Sequence, residues 1–263
     1  MNKLYDKVAV VYGDGNIGGA IARAFAQEGA KVFLTGRTHS KLQLIADEIK
    51  SSGYHIETHK MDALDEAEVT RHLDNIIRKE GSVDISFNAI GLPQKGIQGL
   101  PLAELPVESF MLPIITYVQS HFITARAAAR QMMQQGSGVI LMHTPNASRI
   151  SPAFVGGMVP AWAAIEALCR SLSVEAGEKG VRSVCMLTTG IPETSLIDEV
   201  WDIHGKAHGI SFEQFNHVME SATHRKKLTT LAELTNAAVF AASDEGSGIT
   251  GTVFNLTSGM IVH

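Results

Sequence analysis

Cysteine, tryptophan and tyrosine are scarce in these 263 residues, at two, two and four copies. Cys169 and Cys185 both fall within apolar patterns, so they read as buried thiols in a reducing compartment and supply no disulfide framework. An excess of basic charge is also missing. Lys+Arg 22 against Asp+Glu 27 gives a formal net charge of -5, with the signs interspersed, which argues against a nucleic-acid or anionic-membrane partner. The opening MNKLYDKVAVVYG has no apolar stretch long enough for a signal peptide, and no later run approaches membrane length. The expectation is a soluble cytoplasmic protein. No Pro/Ser-rich linker, charge block, low-complexity tract or short-period repeat interrupts the chain. Residues 1–263 therefore read as one domain with a full core, and the expected partner is a small molecule.

What is present begins at Val8. Val8, Ala9, Val10 and Val11 form an unbroken apolar run, the mark of a strand buried on both faces in a parallel sheet. Gly13, Gly15 and Gly18 follow in G-x-G-x-x-G spacing, and Ile17, Ala20, Ile21, Ala24 and Phe25 then recur at helical intervals. Glycines on a strand-to-helix turn let the backbone approach a diphosphate, and the free N–H groups of the helix start face it. Gly13, Gly15, Asn16, Ile17 and Gly18 are the candidate phosphate cradle.

The remainder alternates strand and helix. Strands are predicted over 31–37, 55–61, 83–87, 138–143, 181–187 and 252–256. Long helices are predicted over 109–135, 161–178 and 231–242. Such alternation demands a doubly wound, Rossmann-type parallel sheet with helices on both faces. The second strand ends in Gly36 and Arg37, where an acidic residue would bind the adenosine ribose of NAD. A guanidinium there suits the 2′-phosphate of NADP, although Asp14 inside the glycine turn pulls toward NAD. Asp62 and Ala63 close the third strand and Asn88, Ala89 and Gly91 the fourth, all at the cofactor edge. From 188 to about 228 the periodicity loosens. Ile203, Ile210, Phe212, Phe215 and Met219 beside Trp201 suggest a lid over the substrate. His204 and His208 stand in H-x-x-x-H spacing, with His217 and His224 downstream. No cysteine or well-placed carboxylate completes a site, Gly205 and Gly209 weaken the helix, and no metal is expected.

At this point the chain resembles the short-chain dehydrogenase/reductase family along nearly its whole length. The matching pieces are Gly13 to Gly19, Asp62-Ala63, Asn88-Ala89-Ile90-Gly91, the helix segment from Phe122 to Ala127, the segment from Ala163 to Leu168, and the close from Ala242 to Gly259. The glycine turn is one residue shorter than the family's T-G-x-x-x-G-x-G and has Tyr12 in place of its Thr. The resemblance implies NAD or NADP as cofactor and hydride transfer to or from a carbonyl or alcohol. It places Thr188, Gly190 and Thr194 over the nicotinamide, and implies a homotetramer or homodimer through helices 109–135 and 161–178.

One absence outweighs the rest. The family's Y-x-x-x-K lays Met158 on the tyrosine and Trp162 on the lysine, and none of Tyr5, Tyr12, Tyr54 or Tyr117 has a lysine four residues later. A thioether donates no proton, and an indole carries no charge. The family's serine falls at Thr144 or Pro145 and its asparagine at Tyr117. The expected catalytic wall is therefore Tyr117 as proton donor and Thr144 as carbonyl donor, with His121 or His143 tuning or relaying. Tyr117 also reads as core filling with a satisfied hydroxyl, and the two histidines as a packed and a hydrogen-bonded residue. Met158, Trp162, Phe154 and Trp201 would line an apolar substrate pocket. Two functions fit. One is an NADP-preferring oxidoreductase acting on a carbonyl, alcohol or activated double bond with a non-standard wall. The other is a catalytically silent dinucleotide-binding or partner-binding protein.

Overall fold

The computed structural model describes residues 2–207 and 209–262. Its elements run β1 (Val8–Tyr12), α1 (Asn16–Gln27), β2 (Lys31–Gly36), α2 (His39–Ser51), β3 (Ile56–Lys60), α3 (Glu66–Glu80) and β4 (Ile85–Asn88). The second half continues with α4 (Val107–Pro113), α5 (Ser120–Gln135), β5 (Gly138–Pro145), α6 (Ala147–Ile150), α7 (Met158–Ala176), β6 (Val181–Thr188), α8 (Ser195–Ala207), α9 (Phe212–Ser221), α10 (Leu231–Ala242) and β7 (Thr252–Leu256). All seven strands pair in parallel, in the order β3-β2-β1-β4-β5-β6-β7. The doubly wound sheet expected from the alternation is the observed one.

The run that opens the chain shows why the sheet has a core on each side. All five residues of β1 are buried. Val8, Val10 and Tyr12 point into a cluster with Leu73, Ala128 and Ile165 from α3, α5 and α7. Ala9 and Val11 point the other way, onto Ile21, Phe25, Leu42 and Leu234 from α1, α2 and α10. Two-residue periodicity thus splits one apolar run between two layers. Each fully buried valine contributes about 1.5–3 kcal/mol, and Phe25 meets Phe87 edge to face at 6.4 Å.

Two segments depart from the sequence pattern. The helix predicted over 109–135 is continuous only through a π-helical stretch, Ile114–Gln119, set between α4 and α5. Pro113 stands at the junction; it lacks the N–H that would close the previous turn, and the ladder widens just after it. The helix that Gly205 was expected to weaken runs through it, and a Cβ at Gly205 would lie 2.2 Å from the Trp201 ring. Glycine is what lets the indole lie against its own helix. His208, the second histidine of that spacing, lies outside the described residues. Among the described residues no helix is long and apolar enough to cross a membrane.

Candidate functional site

Where the strand order reverses, between β1 and β4, the carboxyl ends of the strands open into one cavity of about 860 Å³. This is the position at which open α/β sheets bind ligands. The glycine turn forms its floor. Gly13 has φ +121, and a Cβ there would lie 2.5 Å from the Ala89 carbonyl oxygen. A Cβ on Gly18 would lie 1.9 Å from the Gly13 carbonyl oxygen, so both glycines are demanded by close backbone packing. Gly15 differs. It caps α1 in extended backbone with no side-chain cap, and a Cβ there would meet nothing within 4 Å. The first N–H groups of α1 are left for a ligand, which is the geometry a diphosphate needs. Asn16 beside them accepts from the Ser195 N–H and hydroxyl at 3.2 and 3.1 Å, tying the turn to the start of α8.

At one end the cavity reaches Gly36, Arg37, Thr38 and Lys41. The Asp14 carboxylate folds over Gly36 and accepts from the Thr38 N–H at 2.8 Å. Asp62 and Ala63 line the next wall, and Asp62 accepts from the Leu64 N–H at 3.0 Å. Asn88 also lines the cavity but serves the fold: its amide donates to the Thr124 hydroxyl at 3.1 Å and its oxygen accepts from the Ile90 N–H at 3.0 Å. Ile17, Ala89, Gly91, Thr188, Gly190 and Thr194 all reach the lining, whereas Gly18 packs beneath it. The Thr194 hydroxyl is engaged, donating to the Ile191 carbonyl at 2.8 Å.

The far end holds the proposed chemistry, and there the residues divide. Tyr117, His121 and His143 line the cavity. Tyr117 is 6% exposed, its oxygen accepts from the Leu92 N–H at 3.2 Å, and burial pushes its phenol up to about 12. His143 Nε2 lies 2.8 Å from the Thr188 hydroxyl; burial, and then the nearby His121, lower its pKa to about 4. His121 Nδ1 donates to the Tyr117 carbonyl at 2.8 Å, and burial lowers this ring to about 4 as well. Both imidazoles are neutral at pH 7.

Thr144 does not reach the cavity. It is fully buried, its hydroxyl donates to Glu166 at 3.4 Å, and Cys185 Sγ lies 3.5 Å away. The same carboxylate accepts from Ser148 at 2.5 Å and pairs with Arg149 at 3.1 Å, so Thr144 belongs to a buried polar cluster behind the wall. Met158 is likewise fully buried and away from the lining, while Trp162 and Phe154 border the cavity, the indole 6.3 Å from the Tyr117 ring. Trp201 lies within its own segment, against Phe212 at 5.6 Å, and not on the cavity surface.

The pocket is also less apolar than its methionines and aromatics suggest. Gln94, Gln98 and Glu199 stand in its wall. The Gln94 N–H donates to Glu199 at 2.8 Å, the Gln98 amide donates to Gln94, and His204 donates to Gln98 at 2.7 Å. This chain couples the 92–106 loop to α8. The four-residue spacing of the glutamines, and a lone Glu166 in an apolar helix pattern, were the signals available in the sequence. Among the described residues no group of three or more His, Cys, Asp or Glu side chains is placed to hold a metal ion.

A parallel sheet with a glycine-floored cavity over its switch point defines a Rossmann-type α/β protein. Within that class, the chain belongs to the short-chain dehydrogenase/reductases: residues 12–261 match the family described as Enoyl-(Acyl carrier protein) reductase. It is 28% identical over 264 residues to an uncharacterized oxidoreductase, YxbG, of Bacillus subtilis (strain 168), covering 100% of this chain and 94% of the relative. It is 28% identical over 259 residues to a D-beta-hydroxybutyrate dehydrogenase of Rhizobium meliloti (strain 1021), covering 96% of this chain and 98% of that one. In fold it is similar to a gluconate 5-dehydrogenase from Burkholderia cenocepacia J2315 in complex with NADP and tartrate, at TM-score 0.86 and 20% identity over 98% of this chain and 96% of that one.

Proposed function

We propose that the chain is a dinucleotide-dependent oxidoreductase, NADP preferred, acting on a carbonyl, alcohol or activated double bond without the Tyr and Lys of its family. The observation that carries this reading is the continuity of one cavity, from the uncapped start of α1 to the wall of Tyr117 and His143. Gly13, Gly15 and the first N–H groups of α1 would hold the diphosphate, and Arg37 with Lys41 would meet a 2′-phosphate. Arg37 and Lys41 beside the Asp14 carboxylate support NADP at that rim. The cofactor, when bound, supplies or accepts the hydride. Tyr117, whose oxygen already accepts from Leu92, keeps its own proton for a ligand oxygen. Holding donor and acceptor face to face retains the proximity contribution even where the acid is weak.

The segment spanning α8 and α9 acts as a lid in this reading, latched at Asn16–Ser195 and through the Gln94–Gln98–His204 chain. Assembly is through the helices 109–135 and 161–178, on the first of which Leu112, Ile115 and Phe122 leave apolar surface exposed at 46, 48 and 45%. A second reading, a silent dinucleotide-binding protein, draws on the burial of Met158 and the turning inward of Thr144. Fluorescence titration with NADPH, followed by a screen of carbonyls and enones for its oxidation, separates them. Binding with turnover supports the first reading, binding alone the second, and no binding refutes both.

A further inference from the structure

Away from the glycine turn, the cavity wall carries a single carboxylate and no fixed cation. Among the described lining residues Asp14, Arg37, Lys41 and Asp62 gather at the glycine-turn end, and Glu199 is the only other Asp, Glu, Lys or Arg. His121 and His143, lowered to about 4 by burial, add no charge at pH 7. Glu199 stands on α8 one turn beyond Ser195, which also lines the cavity, so the two share a helix face. Its Oε2 accepts from the Gln94 N–H at 2.8 Å. The Gln94 amide donates in turn to the Leu92 carbonyl at 2.5 Å, and the Leu92 N–H donates to the Tyr117 oxygen at 3.2 Å. A short stretch of loop thus ties the carboxylate to the wall that holds the Tyr117 phenol. Fastening that loop uses one oxygen only. Oε1 has no partner among the described residues, and on this half-buried side chain it keeps accessible surface. A carboxylate in a cavity wall without a lysine or arginine near it repels anions and favours a positive charge. Phe154, Trp162 and Phe215 line the same cavity, and aromatic rings attract cations as well.

We propose that Glu199 Oε1 pairs with a positively charged nitrogen of the substrate, so that the cavity selects amino ketones and amino alcohols over their uncharged or carboxylate-bearing counterparts. The proposal rests on the oxidoreductase reading and narrows its substrate class by charge. An uncharged isostere gives the carboxylate no partner, and a substrate carboxylate meets it with like charge. A cation paired to a half-buried carboxylate should bind about tenfold more tightly than its uncharged isostere.

The test uses the full chain with saturating NADP and three pairs in which carbon replaces a permanently charged nitrogen: acetonyltrimethylammonium against methyl neopentyl ketone, phenacyltrimethylammonium against neopentyl phenyl ketone, and p-acetylphenyltrimethylammonium against p-tert-butylacetophenone. Dissociation constants are read by ligand-observed NMR. At least one cation is expected to bind ~10-fold more tightly than its isostere. Glu199→Gln keeps an acceptor for the Gln94 N–H and removes the charge, so it should bring that pair to equal affinity while NADPH affinity and melting temperature stay near wild type. On the wild type alone, p-acetylbenzoate should bind more weakly than p-tert-butylacetophenone, a readout that does not depend on the variant folding. Equal binding within all three pairs, no binding by any of the six, tighter binding of p-acetylbenzoate, or a preference that survives Glu199→Gln overturns the proposal. Failure of the wild type to bind NADPH overturns the oxidoreductase reading instead, and the same pairs on the cofactor-free chain then decide whether the cation site stands.

Discussion

Substituting Gly15 and Gly18 separately distinguishes a phosphate cradle from an ordinary glycine turn. At Gly15 the backbone is φ -89, ψ -174, which alanine adopts freely, and the added Cβ meets nothing within 4 Å. The cost to folding is confined to a poorer helix cap, below about 1 kcal/mol, or a loss of about 2–4 °C in melting temperature. That same methyl projects where the proposed diphosphate must approach the first turn of α1. Losing that approach should weaken NADPH binding by 10- to 100-fold, about 1.4–2.8 kcal/mol. At Gly18 the opposite holds. A Cβ placed 1.9 Å from the Gly13 carbonyl oxygen forces backbone apart, costing about 3 kcal/mol or more in stability. Thermal melts and NADPH fluorescence titration read the two effects independently. If Gly15→Ala binds NADPH as the wild type does, or loses as much stability as Gly18→Ala, the assignment of the turn is wrong.

Four further outcomes follow from the same geometry. His72, His121 and His143 are each lowered from 6.5 to about 4. The unfolded chain therefore binds more protons between those values, and stability is full above pH 6.5 and falls as pH drops toward 4. The loss is about 3 kcal/mol for each histidine at the limit, and urea unfolding at pH 7.5 and pH 5 measures it. Removing the Glu166 carboxylate by Glu166→Ala takes away the acceptor for Ser148 and Thr144 and the partner of Arg149. It should cost about 3 kcal/mol of stability, visible as a lower melting temperature. At the cofactor rim, Asp14→Asn should raise the NADPH-to-NADH affinity ratio, and Arg37→Ala should lower it by about tenfold; unchanged ratios would remove both residues from specificity. Phe122→Glu should dissociate the proposed oligomer in sedimentation, leaving the far-UV circular dichroism of the protomer intact.

Much of the architecture was legible because its signals are local. The apolar run Val8–Val11 announced a doubly buried strand. The predicted helix 231–242 and strand 252–256 coincide with α10 and β7, and in the structure α10 opens on a capping box from Thr230 and Glu233. The glycine-turn end of the cavity lining was legible for the same reason: Gly13, Gly15, Arg37, Asp62 and Ala89 follow the ends of recognisable strands, and strand ends in a parallel sheet converge on one edge.

The chemistry at the other end was not open to such reading. Thr144 occupies an expected position, yet its hydroxyl turns toward Glu166, 22 residues on, and away from the cavity. Trp201 belongs to the expected segment, yet Gly205 lets its ring lie along the helix instead of over a ligand. Asn16 meets Ser195 across 179 residues of chain. Periodicity, turn chemistry and glycine spacing act over a few residues, so the amino-acid order alone determined the parallel sheet, its two apolar layers and the glycine turn. Which way a buried hydroxyl or imidazole faces is set by partners that only folding brings near. The tertiary structure alone therefore decided that Thr144 closes a buried cluster while Tyr117 lines the cavity.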